Sequence, residues 1–82
     1  MFHYTICTLP DEEIFKKQCY AFEKHIPDIV KEQLLEDVDC SLTQIYILNR
    51  KRITVHNSYY IGCVYVDSEI ELEQFFNDNN HI

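Results

Sequence analysis

Phe2, Tyr4 and Ile6 alternate with His3, Thr5 and Cys7 at the start of this chain, in a stretch rich in aromatic and β-branched residues. A period of two in such residues predicts a first strand over residues 2–8. The period then lengthens. Ile14, Phe15, Cys19, Phe22 and Ile26 recur at helical spacing, with Lys16, Lys17, Glu23 and Lys24 largely between them, which predicts an amphipathic helix over about residues 10–25. Thr8 offers a capping hydroxyl, Pro10 suits a first turn, and Asp11, Glu12 and Glu13 lie where the helix dipole favours negative charge. Pro27 stops or kinks that helix. Beyond it, Ile29, Val30, Leu34, Leu35 and Val38 form an apolar set opposed to Glu32, Glu36 and Asp37, which reads as a second helical segment.

From Thr43 the pattern returns to extended segments: Gln44-Ile45-Tyr46-Ile47-Leu48, then Ile53-Thr54-Val55, then Tyr59 to Val66. With turns at Asn49-Arg50-Lys51 and Asn57-Ser58, these predict an antiparallel meander. Gly62, the one glycine, suggests a bulge in its last strand. Asp67-Ser68-Glu69 supplies caps and first-turn carboxylates for a final helix carrying Ile70, Leu72, Phe75 and Phe76, and residues 77–82 read as a fraying tail. The expected order is β-α-α-β-β-β-α. This is an α+β fold, a small two-layer sandwich with its helices packed on a mainly antiparallel sheet. The place of the first strand in that sheet is left open.

Length and composition make this one domain, residues 1–82: at 82 residues a second core could not be filled, and 46% hydrophobic content argues for a folded chain. Cys7, Cys19, Cys40 and Cys63 lie far apart in apolar stretches without paired metal-ligand spacing, so they read as small buried hydrophobes with reduced thiols. No signal peptide and no apolar run of membrane-spanning length is found, and the expected location is cytoplasmic.

Charge changes the picture most. Fourteen Asp and Glu oppose seven Lys and Arg, for a net charge of -7, yet Arg50, Lys51 and Arg52 gather at one hairpin tip. The negative field repels nucleic acid and membrane phosphates and steers basic proteins toward the chain. The order helix, three-stranded meander, helix is shared with the double-stranded-RNA-binding domain, but Asp67, Glu69, Glu71 and Glu73 stand where that domain needs a basic helix start. Cys7 or Cys63 could meet His3 or His56 across a sheet, although no glycine-rich segment brings amides to an oxyanion, so no enzyme is expected. Asp37 and Asp39 flank Val38 without the ligand pattern of a calcium loop, and no cofactor or metal is implied.

What remains is protein binding. Carboxylates cluster at residues 11–13, 32–39 and 67–73, all expected on or beside helices. The expected partner-binding residues are Glu32, Glu36, Asp37, Asp39, Glu69 and Glu73, with Arg50, Lys51 and Arg52 as anchors for a partner's carboxylates. Glu69 and Glu73 should share one face of the last helix. In size and charge the chain resembles the immunity partners of contact-dependent growth inhibition toxins. That resemblance implies a small inhibitor, an immunity protein or antitoxin that occludes the basic active-site surface of a toxin such as a nuclease. The alternatives are a regulatory or scaffold subunit, able to dimerise through a sheet edge, and a phage-encoded inhibitor of a host defence protein.

Overall fold

A computed structural model describes residues 1–75. In chain order the elements are β1 (Phe2–Cys7), α1 (Glu12–His25), β2 (Val30–Glu36), β3 (Leu42–Leu48), β4 (Lys51–Ser58) and β5 (Cys63–Ser68). The strands form one antiparallel sheet in the order β1-β5-β4-β3-β2. The fold is α+β. Residues 77–82, expected to fray, lie outside the described residues, as does Phe76.

Each element has a local cause. Asp11, in extended conformation, caps α1 by accepting the Ile14 N–H on its side chain at 3.1 Å. Its own N–H donates to Asn57 Oδ1 at 2.9 Å, which ties the start of the helix to β4. The helix ends as expected before Pro27, where the Ile26 N–H donates to the Phe22 carbonyl at 3.0 Å. Asn49 and Arg50 both adopt positive φ, 52° and 67°, the geometry of a two-residue hairpin whose twist matches the strands. Gly62 lies in a four-residue turn, not in a strand bulge: its φ is 84° and its N–H donates to the Ser58 carbonyl at 2.8 Å.

The core sits on one face of the sheet. Phe15, Cys19, Phe22 and Ile26 from the α1 side meet Tyr46, Leu48, Ile53, Val55, Val64 and Val66 from β3, β4 and β5. After β5 the chain returns over the same face, placing Leu72 in the core with Ile70 and Phe75 against it. The Leu72 N–H donates to the Tyr4 hydroxyl at 2.8 Å, so this segment covers the β1 side.

Three expectations are corrected. The second helical segment is strand β2. Its apolar residues have helical spacing, but all seven positions are exposed, and pairing with β3 satisfies the backbone on one side. The last helix does not start at Asp67, because β5 continues through Ser68 and pairs Asp67 with both His3 and Thr54. A helical turn begins only at Glu73. Asn57 and Ser58 belong to β4, and the turn follows them. The open question of β1 is settled: it is an edge strand beside β5.

Candidate interaction surface

A sheet of five strands is about 19 Å from first to last strand axis, while a helix with its side chains is about 10–12 Å wide. One helix cannot cover it. α1 lies over β4 and reaches β3, where Gln44, Tyr46 and Leu48 are buried, and the segment after β5 covers the β1 side, so the same face is left open over β2. The result is a groove of about 600 Å³ along α1. Glu12, Phe15, Lys16, Cys19, Tyr20 and Glu23, one continuous face of the helix, form its first wall, and Lys31, Leu34 and Glu36 of β2 form the second.

The groove floor is polar and almost fully bonded. The buried Gln44 amide donates to the carbonyls of Glu32 at 2.9 Å, Ile45 at 3.1 Å and Gln33 at 3.4 Å. These bonds occupy carbonyls released where the register of β2 slips between Lys31 and Leu34. Tyr46, fully buried, donates its hydroxyl to Glu23 Oε2 at 2.6 Å, and Glu23 is 3.5 Å from Lys31 Nζ. Burial, with that bonded carboxylate, pushes the Tyr46 hydroxyl far above the usual phenol range. Burial also pushes the Cys19 thiol up to about 11, the opposite of what an activated nucleophile needs. One donor stands apart. Asn57 is 1% exposed, its Oδ1 is engaged by Asp11, and its Nδ2 has no partner.

Beyond the groove wall lies the outer edge of β2. Val30 and Leu34 are each 53% exposed and Val38 is 100% exposed, with Leu35 also outside the core. The expected partner-binding residues Glu32, Glu36, Asp37 and Asp39 alternate with them on β2 and the turn that follows. They lie on an edge strand and the turn after it instead of on a helix. The turn is fixed from within: the Ser41 N–H donates to Asp39 Oδ1 at 3.0 Å, and the Asp37 N–H donates to the Ser41 carbonyl at 2.9 Å. Those Ser41 bonds hold the Asp39 carboxyl below the usual carboxylate range.

The remaining expected residues lie elsewhere. Arg50 is in the hairpin turn, with Lys51 and Arg52 opening β4, at the end of the sheet away from Glu36, Asp37 and Asp39. Glu69 belongs to this basic end, since its Oε2 accepts the Arg52 N–H at 2.5 Å and its N–H donates to the Arg52 carbonyl at 3.0 Å. Glu69 and Glu73 do not share a helix face, because Glu69 precedes the helical turn.

A further constellation occupies the opposite sheet face. His3 Nδ1 is 2.6 Å from Asp67 Oδ1, and His56 Nε2 is 3.9 Å from Asp67 Oδ2. The His56 ring also contacts Thr43 Oγ1 at 3.0 Å and Thr54 Oγ1 at 2.8 Å, and it stacks on Tyr65 at 4.4 Å between centroids. Burial holds the His56 imidazole below its usual value, against the pull of Asp67, while His3 acts in the same downward direction. The expectation of cysteines facing these histidines missed this group, because it requires β1 beside β5. Period-two parity of His3 and Asp67 was the available signal. The cysteines are free, but only Cys19 is buried and Cys40 is exposed, in part contrary to expectation.

No family model, curated protein or solved structure matches the chain. Among the described residues no helix is long and apolar enough to cross a membrane.

Proposed function

We propose that this chain is a small acidic binding protein that neutralises a basic partner by occlusion, in the manner of an immunity protein or antitoxin. One observation carries the reading: β2 is an edge strand whose residues are all exposed, and its apolar side chains are interleaved with carboxylates. Exposed apolar groups on an unpaired edge favour association, and surrounding carboxylates select a basic surface and hasten encounter. Glu32, Glu36, Asp37 and Asp39 supply the charge, while Val30, Leu34, Leu35 and Val38 supply the apolar contact. In this reading the basic tip and Glu69 lie outside the contact, the fold is a two-layer sandwich, and four free thiols suit a reducing cytoplasm.

The test is capture of partners by the tagged chain in its native host, at low and at high salt, beside a variant with Glu32, Glu36, Asp37 and Asp39 changed to Lys. A single basic protein in one-to-one complex, lost at high salt and weakened about tenfold or more by charge reversal, is expected. Equal recovery by the reversed chain overturns the reading. A homodimer with no other partner moves the chain to the scaffold class, since the same edge can pair with its own copy.

A further inference from the structure

We infer that the cleft between the turn after β2 and the turn after β4, on the sheet face opposite α1, seats an arginine side chain carried on a loop of the basic partner. This inference rests on the binding function proposed above and names the group that docks. The cleft is built by register. Leu35, Thr43, His56 and Tyr65 pair in one row across β2, β3, β4 and β5, and all four line it. The end of β2 and its turn bring Glu36, Asp37 and Asp39 to the same cleft, and the turn after β4 brings Tyr60 and Ile61. Among the described residues neither α1 nor the segment 69–75 lines it, so the chain leaves about 500 Å³ unfilled there.

Chemistry selects the guest. Tyr60 is 92% exposed, Ile61 60% and Leu35 43%, an aromatic and aliphatic surface that serves no core. No Lys or Arg lines the cleft, and none occurs from residue 32 to 49 or from 53 to 82. Among the described residues none of the three carboxylates joins an ion pair. Asp37 and Asp39 each spend one oxygen on the turn, accepting the Val38 N–H at 2.7 Å and the Ser41 N–H at 3.0 Å. Burial holds His56 below its usual value, so the row beneath is uncharged at neutral pH. A cation entering here meets unpaired carboxylates and an exposed tyrosine ring. Arginine uses both, since its flat guanidinium stacks on a ring and forks to a carboxylate while its stem covers aliphatic surface. The walls are preset: the Tyr59 N–H donates to Ser41 Oγ at 2.9 Å, joining the two turns, and the Ile61 N–H donates to Ser58 Oγ at 3.0 Å, so filling the cleft costs little ordering.

The rival guest is the hairpin tip of a second copy, which carries Arg50, but a net charge of -7 on each chain opposes that approach. The probe is a cyclic hairpin peptide with one arginine at its tip, set against the same peptide with citrulline, which keeps the shape without the charge, or lysine, which keeps the charge without the planar fork. Binding to the full chain is followed by amide NMR shifts. The arginine peptide is expected to bind about tenfold more tightly than the citrulline peptide and about threefold more tightly than the lysine peptide, and to shift Thr43, His56, Tyr60 and Ile61. It should weaken about tenfold in Tyr60→Ala and in Asp39→Asn, which keeps an acceptor for the Ser41 N–H, and bind unchanged to Leu34→Ser, whose side chain is on the other sheet face. Binding of either control peptide as tight as that of the arginine peptide, absence of binding, or full binding by Tyr60→Ala overturns the arginine seat. Shifts of the free chain that grow with its own concentration and vanish in Arg50→Asn give the cleft to a second copy and overturn it too. The parent reading fails separately. If the native partner is released by charge reversal of Glu32, Glu36, Asp37 and Asp39 but held by Tyr60→Ala, docking stands and the arginine seat falls; if reversal leaves the partner bound, acidic docking falls.

Discussion

The two edges of this sheet are built in opposite ways. β1 is held by the chain's own later residues: Tyr4 accepts from the Leu72 N–H, and His3 pairs with Asp67 of β5. β2 is joined to β3 along one side and reaches the helix by the Lys31–Glu23 pair, while every one of its residues stays exposed. Tyr4, Ile6 and Cys7 of β1 are half-buried against the core, whereas no residue of β2 is. An edge left apolar, acidic and uncovered carries a cost in solubility that folding does not explain, and the binding role proposed for β2 rests on that difference.

Perturbing each edge tests this contrast. The largest effect is expected on the covered side: Leu72→Ala removes a fully buried side chain and should destabilise the chain by about 2–5 kcal/mol, read from urea or thermal unfolding. Tyr4→Phe leaves the Leu72 N–H without its acceptor and should cost about 1–2 kcal/mol by the same measurement. Retention of full stability by both variants would break the contrast.

A pH profile sharpens it. His56 has a folded value below its ordinary one, so the unfolded chain takes up its proton first as pH falls. Stability is therefore full above about pH 6.5 and is lost as pH drops from there through the folded value. Unfolding midpoints measured from pH 8 to pH 5 should fall more steeply in the native chain than in His56→Gln. The smallest effect belongs to β2, where Leu34→Ser should change stability by no more than about 0.5 kcal/mol while weakening any complex.

The parts legible in sequence were those whose side chains meet the core. The alternation of β1, the stripe of Phe15, Cys19, Phe22 and Ile26, and the β3–β4 hairpin all reflect burial, and periodicity reports burial. β2 defeated the same logic because Val30, Leu34, Leu35 and Val38 are exposed and only Ile29, just before the strand, packs against the core, so their spacing carries no message about backbone conformation. Ser68 was misread as a cap. It is buried in β5, where its hydroxyl donates to the Ile70 carbonyl at 2.6 Å and accepts the Ile70 N–H at 3.0 Å, making a bend. The acidic residues 32–39 were picked out by charge alone and lie on an edge strand and its turn instead of a helix, whereas the His3, His56 and Asp67 group needed strand order, which no local pattern holds.

The exposure of β2 also bears on how the chain can evolve. Its backbone is held through ladder bonds that do not depend on side-chain identity, and the Gln44 amide that bonds its irregular stretch belongs to β3. Substitutions along β2 are therefore nearly silent for folding, and under the proposed function this surface is free to drift with a changing partner while the core stays under its own separate constraint.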